Sequence, residues 1–357
     1  MLGAQGADCI PWPVPFSDGI ALLAAHKGRN VVVLASGDPF WFGAGTVIAG
    51  AFTHEDWRAL PAPSTFSIAA SRLGWALEQT LCLGLHAAPL SRMRPHLASQ
   101  TRCLILVRDG AAVQTLGQYL VAEGFGDSTL TVMQALGGPR EVVTNLTAAT
   151  VGTQVFHHPV CVGVTVQGAG AALPCASGIP DAFFETDGVM TKRPIRAMTL
   201  SALAPVPGEV LWDIGGGSGS IAIEWLLVHP RCDAITIEPR ADRVALIRSN
   251  ADRLGVDRLR VVTGRAPEVL EALPRPDAVF IGGGLGAGLL EVLWNLLPKG
   301  TRIVVNAVTL EAEAQLIQCH AIHGGDLLRL DLATAYPLGA KTGWKASYPL
   351  VQWSGVI

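Results

Sequence analysis

A chain of 357 residues that is 50% hydrophobic and only 15% charged can bury cores for two ordinary domains, which excludes a disordered protein. A net charge of −3 with scattered basic residues gives no support for the positive footprint of a nucleic-acid binder. No apolar run reaches the ~18 residues of a membrane span. The seven cysteines are dispersed without a Cys-x-x-Cys pair, so they read as packing residues in a reducing, cytoplasmic setting with no metal site and no signal peptide expected.

In chain order, residues 31–34 (VVVL) read as a buried strand, and SGDPFWFG at 36–43 is a Gly/Pro-rich loop directly behind it. Asp-Pro commonly starts turns, so Asp38 is read as a loop organiser before a catalytic base, and Trp41, Phe42 and Trp75 as core. Residues 61–75 form a turn into a helix. Residues 103–107, 130–133 and 160–166 are short strands, and GGPRE at 137–141 is a second glycine turn. His157 and His158 are adjacent, so their side chains diverge and do not chelate together. The stretch 167–180 (QGAGAALPCASGIP) lacks periodicity and marks the boundary, giving domains of 1–170 and 171–357.

The second half alternates strands at 210–214, 234–237, 259–262, 278–281 and 302–305 with helices at 221–228, 241–254, 267–273, 289–297 and 311–323. That rhythm predicts a parallel sheet covered on both faces, with ligands at the carboxyl ends of its strands. Runs at 326–334 and 348–353 predict an antiparallel hairpin at the sheet edge. LWDIGGGSGS at 211–220 places Asp213 at a strand end, then Gly215, Gly217 and Gly219, then Ser220 and a helix start near Ile221. Glycines admit positive φ and close approach of a ligand to the main chain. Glu238, at the end of the next apolar run, suits both hydroxyls of a ribose. A dinucleotide fingerprint wants its third glycine where Ser220 stands. Asp213 suits an amino or sulfonium group better than a phosphate, so the balance favours S-adenosylmethionine over NAD. Gly282, Gly283 and Gly284, after the fourth strand, are expected to wall the same pocket.

The segments GIPDAFFETDGVMTKRPIRA, LWDIGGGSGSIAIEW, APEVLEALPRPDAVFIGGG, NAVTLEAEAQL and YPLVQW resemble the decarboxylating methyltransferase domain of cobalamin biosynthesis. IPWPVPF, VVVLASGDPFWFG, residues 61–75 and LTVMQALGGPRE resemble the tetrapyrrole C-methylases. Their order across nearly the whole chain resembles the precorrin-6Y C5,15-methyltransferase (decarboxylating) family. The resemblance implies an α/β protein of two domains, a tetrapyrrole-methylase-like half lacking its first strand and a Rossmann-like class I methyltransferase half. It implies methylation of C5 by the first half, and C15 methylation with loss of the ring C acetate as carbon dioxide by the second. It also implies cofactor contacts from Gly264, Arg265 and Ala266, and from Ser36, Gly37 and Asp38 in the first half. The substrate would be a carboxylate-rich precorrin, with Lys192, Arg193 and Arg196 as candidate carboxylate binders, although solvated surface is their ordinary role. Nucleic acid and membrane are not expected as partners; a homo-oligomer is. No acid–base residue is assigned.

Three departures accompany the resemblance. A strand and glycine loop expected ahead of IPWPVPF are not in this sequence, so the first half is expected not to methylate as given, or the start codon is misplaced. Arg265 stands where the pattern has an acid near the adenine. Pro194 and Ala312 replace an acid and a hydroxyl. Two rival readings stay open: a class I methyltransferase acting on RNA or protein, and a first half that is only a scaffold. Trp344 and Lys345 read as edge-strand packing before macrocycle stacking.

Overall fold

The computed structural model describes residues 8–286 and 288–357. They divide into two compact units, residues 8–87 with 99–169, and residues 88–98 with 170–357. The excursion 88–98, which a single cut at residue 170 does not separate, is held on the second unit. There Arg92 grips Asp257 through two hydrogen bonds of 2.8 and 2.9 Å.

The first unit contains α1 (Asp18–Ala25), α2 (Ala44–Ala51), α3 (Thr65–Leu73), β1 (Leu81–Gly84), β2 (Arg102–Leu106), α4 (Ala111–Ala122), β3 (Thr129–Gln134), β4 (Val142–Thr147) and β5 (Val160–Thr165). The sheet order is β1-β2-β5-β3-β4, with only β1 and β2 parallel. Helix α3 starts where Ser64 accepts a hydrogen bond from the Ser67 N–H and ends at Gly74 in the left-handed region. It buries Phe66, Ala69 and Ala70 against Leu104, Met133 and Cys161.

Residues 31–34 are not a strand. Among the described residues no strand pairs with them, and Val32 and Leu34 are 82% and 73% exposed. Without a neighbour to take its N–H and C=O groups, a short apolar run gains nothing from pleating. Trp41 and Phe42, expected in the core, are half-exposed and rest on Phe66 at ring distances of 5.6 and 5.9 Å.

The second unit runs α5 (Arg193–Leu203), β6 (Val210–Ile214), α6 (Ser220–Val228), β7 (Asp233–Glu238), α7 (Ala241–Arg253), β8 (Arg260–Thr263), β9 (Ala278–Ile281), α8 (Leu289–Leu296), β10 (Arg302–Ala307), α9 (Leu310–His323), β11 (Asp326–Leu330), β12 (Ala333–Leu338), β13 (Lys341–Ala346) and β14 (Leu350–Val356). The seven-stranded order is β11-β14-β10-β9-β6-β7-β8. From β10 to β8 neighbouring strands are parallel, while β14 is antiparallel to both β10 and β11. Alternation along the strands divides the core. Leu211, Ala278, Phe280 and Val304 pack with the α5–α6 layer, and Trp212, Ile214, Val279, Ile281, Ile303 and Val305 with the α8–α9 layer. The chain crosses to β7 on one side of β6 and to β9 on the other, so a crevice opens at the carboxyl end of β6.

Two expectations in this half need correction. Residues 267–273 form only a single 3-10 turn, Leu270–Ala272, because Pro267, Pro274 and Pro276 confine the segment to less than two helical turns. The two tail runs do pair, as β11 with β14, but they do not form a simple hairpin. A separate antiparallel ribbon, β12 with β13, is inserted between them. Trp344, on that ribbon, is exposed, and Lys345 lies 4.8 Å above the Tyr336 ring.

Candidate functional site

Strand β6 delivers Asp213 and Ile214 to the crevice, and the following loop has positive φ at Gly215, Gly217 and Gly219 (77°, 58° and 78°). Two of these glycines are required by neighbours. A Cβ on Gly215 would stand 2.7 Å from the Gly283 carbonyl oxygen, and one on Gly219 would stand 2.9 Å from Ile247 Cγ2. The loop is therefore clamped from behind by α7 and from the side by the 282–284 turn.

In front of it lies a cavity of about 370 Å³. Asp213, Gly215, Gly217, Ser220, Glu238, Gly264, Arg265, Ala266, Gly282 and Gly283 all line it, as does Gly284. Gly219 does not: it caps α6 behind the wall and acts through packing. The wall also includes Ser218, Arg240, Arg243, Val189 and Thr191, which sequence spacing did not single out.

Glu238 is buried and rigidly held. One carboxylate oxygen accepts from the Gly217 N–H and the other from the Arg240 N–H, each at 3.1 Å. Each oxygen keeps a further lone pair, so the group can accept two more donors side by side. Asp213 is completely buried, and burial pushes its carboxyl up to about 7. Hydrogen bonds from the Thr236 hydroxyl and the Ala222 N–H only partly oppose this, and the Glu238 charge adds to it. Ser218 Oγ is buried with no hydrogen-bond partner among the described residues. An orphaned hydroxyl in a polar cavity marks a place for a ligand atom or water. Arg265 lines the cavity with an exposed side chain that makes no hydrogen bond or ion pair among the described residues.

The three candidate carboxylate binders separate. Lys192 and Arg193 are exposed at the start of α5, next to Thr191 on the cavity wall. Arg196 is fully buried and does not face a substrate. Its Nε donates to Glu224, and its Nη atoms donate to the Thr191 carbonyl at 2.6 Å, Asp181 at 3.1 Å and the Ile179 carbonyl. Its guanidinium lies 4.8 Å from the Phe184 ring. Glu224 in turn accepts from the Gly178 and Ile179 N–H groups at 2.7 and 2.9 Å. The pair therefore staples the segment entering α5 to α6. Sequence patterning shows only a basic cluster; it does not reveal which member turns inward.

In the first unit, Gly37 adopts φ of 69°, and its loop lies against Ser64 at the start of α3. Asp38 accepts from the Phe40 N–H at 2.8 Å, the contact of a loop organiser. Ser36 is exposed.

Comparison with known proteins agrees with this architecture. The family described as "Precorrin methyltransferase domain" matches residues 182–356, and "Tetrapyrrole (Corrin/Porphyrin) Methylases" matches residues 20–152. A Sinorhizobium sp. protein named precorrin-6Y C(5,15)-methyltransferase (decarboxylating) is 49% identical over 346 residues, 96% of this chain and 84% of its own. A protein of the same name from Mycobacterium tuberculosis is 37% identical over 348 residues, 96% of this chain and 86% of its own. The crystal structure of the C-terminal domain of precorrin-6Y C5,15-methyltransferase from Rhodobacter capsulatus is 55% identical. It covers 52% of this chain and 100% of that one, with a TM-score of 0.51. The chain belongs to the precorrin-6Y C5,15-methyltransferase (decarboxylating) family.

Proposed function

We propose that this chain methylates C5 and C15 of a precorrin and removes the ring C acetate as carbon dioxide, with S-adenosylmethionine held in the crevice of the second unit. The carrying observation is a fixed carboxylate, Glu238, held against the glycine loop at Gly217, together with an orphaned buried hydroxyl, Ser218, in that same loop. That combination fits a ligand with a vicinal diol at one end and a polar amino-acid tail at the other. When bound, S-adenosylmethionine supplies a methyl group on a sulfonium centre.

The chain's own residues bind and orient. Glu238 accepts from the ribose hydroxyls, and the close backbone of residues 215–219 leaves room for the tail. Ser218 donates to that tail. Asp213 provides a carboxyl whose ionised form a nearby cation favours. Arg265 and its neighbours Gly264 and Ala266 lie along the base. Lys192 and Arg193 reach carboxylates of the macrocycle from the rim. The electron-rich macrocycle is its own nucleophile, so alignment supplies most of the acceleration and no activated serine or cysteine is required. The first unit is assigned C5, with Ser36, Gly37 and Asp38 as its cofactor loop.

Titration calorimetry of the full chain tests the crevice. Glu238→Gln is expected to weaken donor affinity about 10- to 100-fold, the effect of degrading a charge-assisted hydrogen bond. Unchanged affinity overturns the assignment. Product mass after incubation with the precorrin tests the reaction: two methyls gained and carbon dioxide lost supports catalysis by both units. One methyl with decarboxylation assigns catalysis to the second unit alone.

A further inference from the structure

Beyond the cavity, the sheet carries a polar row that the cofactor pocket does not use. Gly215 follows β6 and Gly282 follows β9, at the level where Ile214 pairs with Ile281 one residue earlier. Val305 of β10 pairs with that same Ile281, so Asn306 stands beside Gly282. Asn306 then pairs with Gln352 of β14. Adjacent strands are about 4.8 Å apart, so Asn306 is one strand spacing from the cavity wall. Val304, two residues earlier, packs in the α5–α6 layer, so Asn306 projects toward α5. Gly282 has no side chain, but the Phe280 ring stands against it and also lines the cavity, whereas Asn306 itself does not line it.

Three neutral groups meet there. Asn306 Nδ2 donates to Thr199 Oγ1 at 2.9 Å, and Gln352 Nε2 donates to Asn306 Oδ1 at 2.8 Å and to Thr199 Oγ1 at 3.1 Å. The Thr199 hydroxyl donates to the Ile195 carbonyl at 2.9 Å. Thr199 and Gln352 are buried, whereas Asn306 is partly exposed. The buried partners fix the carboxamide of Asn306: its oxygen and one N–H are engaged, and the second N–H has no partner among the described residues. A rigid, neutral donor thus stands beside the cofactor cavity at the open end of the strands. If only strand pairing mattered, two apolar residues would serve without the cost of burying amides.

We propose that Asn306, oriented by Gln352 and Thr199, seats the acetate carboxylate that this enzyme removes; this rests on the function proposed above. In that step the bond between the acetate methylene and its carboxyl carbon breaks, and its electron pair passes into the conjugated ring system. Carbon dioxide leaves, and the methylene then takes a proton from water to become a methyl group. Charge departs from the carboxylate as the reaction proceeds. A cation at this position would stabilise the ground state more than the transition state, whereas a neutral N–H orients the group with less of that penalty.

The test uses the full chain, donor and precorrin, reading methyl gain and carbon dioxide loss separately by product mass. Asn306→Asp keeps the shape and replaces the donor with a like charge; Asn306→Ala serves if the first variant does not fold. Decarboxylation is expected to fall about 10- to 100-fold, while donor affinity and the rate of the second unit's methyl transfer stay within about twofold. Gln352→Met, which frees the Asn306 carboxamide, is expected to move the same ratio in the same direction by less. An unchanged ratio of decarboxylated to methylated product overturns the proposal, as does a parallel fall of both steps with a raised KM. Wild-type protein that transfers methyl groups without ever releasing carbon dioxide would instead overturn the function on which it rests.

Discussion

Two apolar runs in this chain lead into a glycine-containing loop with an aspartate close by, and they meet opposite fates. Residues 210–214 lie between β7 and β9 with pairing on both sides, and Leu211 and Trp212 are fully buried. Residues 31–34 have no strand beside them among the described residues, and their side chains lie largely in solvent. The loops differ in the same way. The glycine loop after β6 is braced by α7, by the 282–284 turn and by Glu238. The loop at 36–43 is held by an Asp38 contact within its own turn and by its rest against α3. Local pattern supplies a tendency; pairing partners and packing behind the loop turn it into a site.

The sharpest way to test that contrast is to remove a brace. Arg196→Ala strands Glu224 as a buried carboxylate without its cation, and the loss is expected to be about 3–5 kcal/mol. Asp38→Ala removes an exposed turn contact and is expected to cost about 1 kcal/mol or less. Differential scanning calorimetry of the full chain reads both. A small shift for Arg196→Ala would mean the staple at α5 is dispensable to the second unit.

The next effect is a dependence on pH confined to the second unit. Asp213 is raised from the ordinary 3.8 to about 7 by burial. Below the lower value folded and unfolded chains both hold the proton, so stability is fully present there. As pH rises toward and through 7 the unfolded chain ionises more readily, and that contribution is lost. Asp213→Asn removes the dependence: without ligand it should be more stable than the parent at about pH 8, by on the order of 3 kcal/mol, and nearly equal at about pH 4. Urea titrations at the two pH values measure it. A gap that does not change with pH would show that Asp213 is not the titrating group.

Much of the second unit was legible because its signals repeat. Apolar runs of four to six residues alternate with amphipathic stretches, and each strand end carries a small or acidic residue where a crevice must open. The short 3-10 turn at Leu270–Ala272 was misread because an apolar run bounded by prolines still shows helical spacing. Arg196 was misread because a basic cluster gives no sign of which member meets a buried acid 28 residues away. Ser218 was overlooked for Ser220 two positions on, since only the folded loop decides which hydroxyl is left without a partner. Asn306 and Gln352 are far apart in sequence and become neighbours only because β14 runs antiparallel beside β10. In the first unit, residues 103–107, 130–133 and 160–166 were legible as strands. β1 and β4 were not, because Leu81–Gly84 and Val142–Thr147 lack a continuous buried face.

The smallest expected effect is the most direct probe of residues 31–34. Val32→Thr keeps the branched β-carbon and changes only polarity, and Leu34→Ser removes exposed apolar surface. Since both side chains are largely in solvent, neither change creates a cavity or strands a buried polar group. Each should shift stability by no more than about 0.5 kcal/mol. The same substitutions in a strand buried between two neighbours would forfeit the burial of an aliphatic side chain, worth about 1.5–3 kcal/mol. Chemical denaturation of the full chain separates the two cases. A loss above about 1 kcal/mol for either variant exceeds what exposed positions give, and would mean that 31–34 is covered in solution by a partner. The contrast between the two runs would then be one of available neighbours, and the strand tendency read from VVVL would be realised after all.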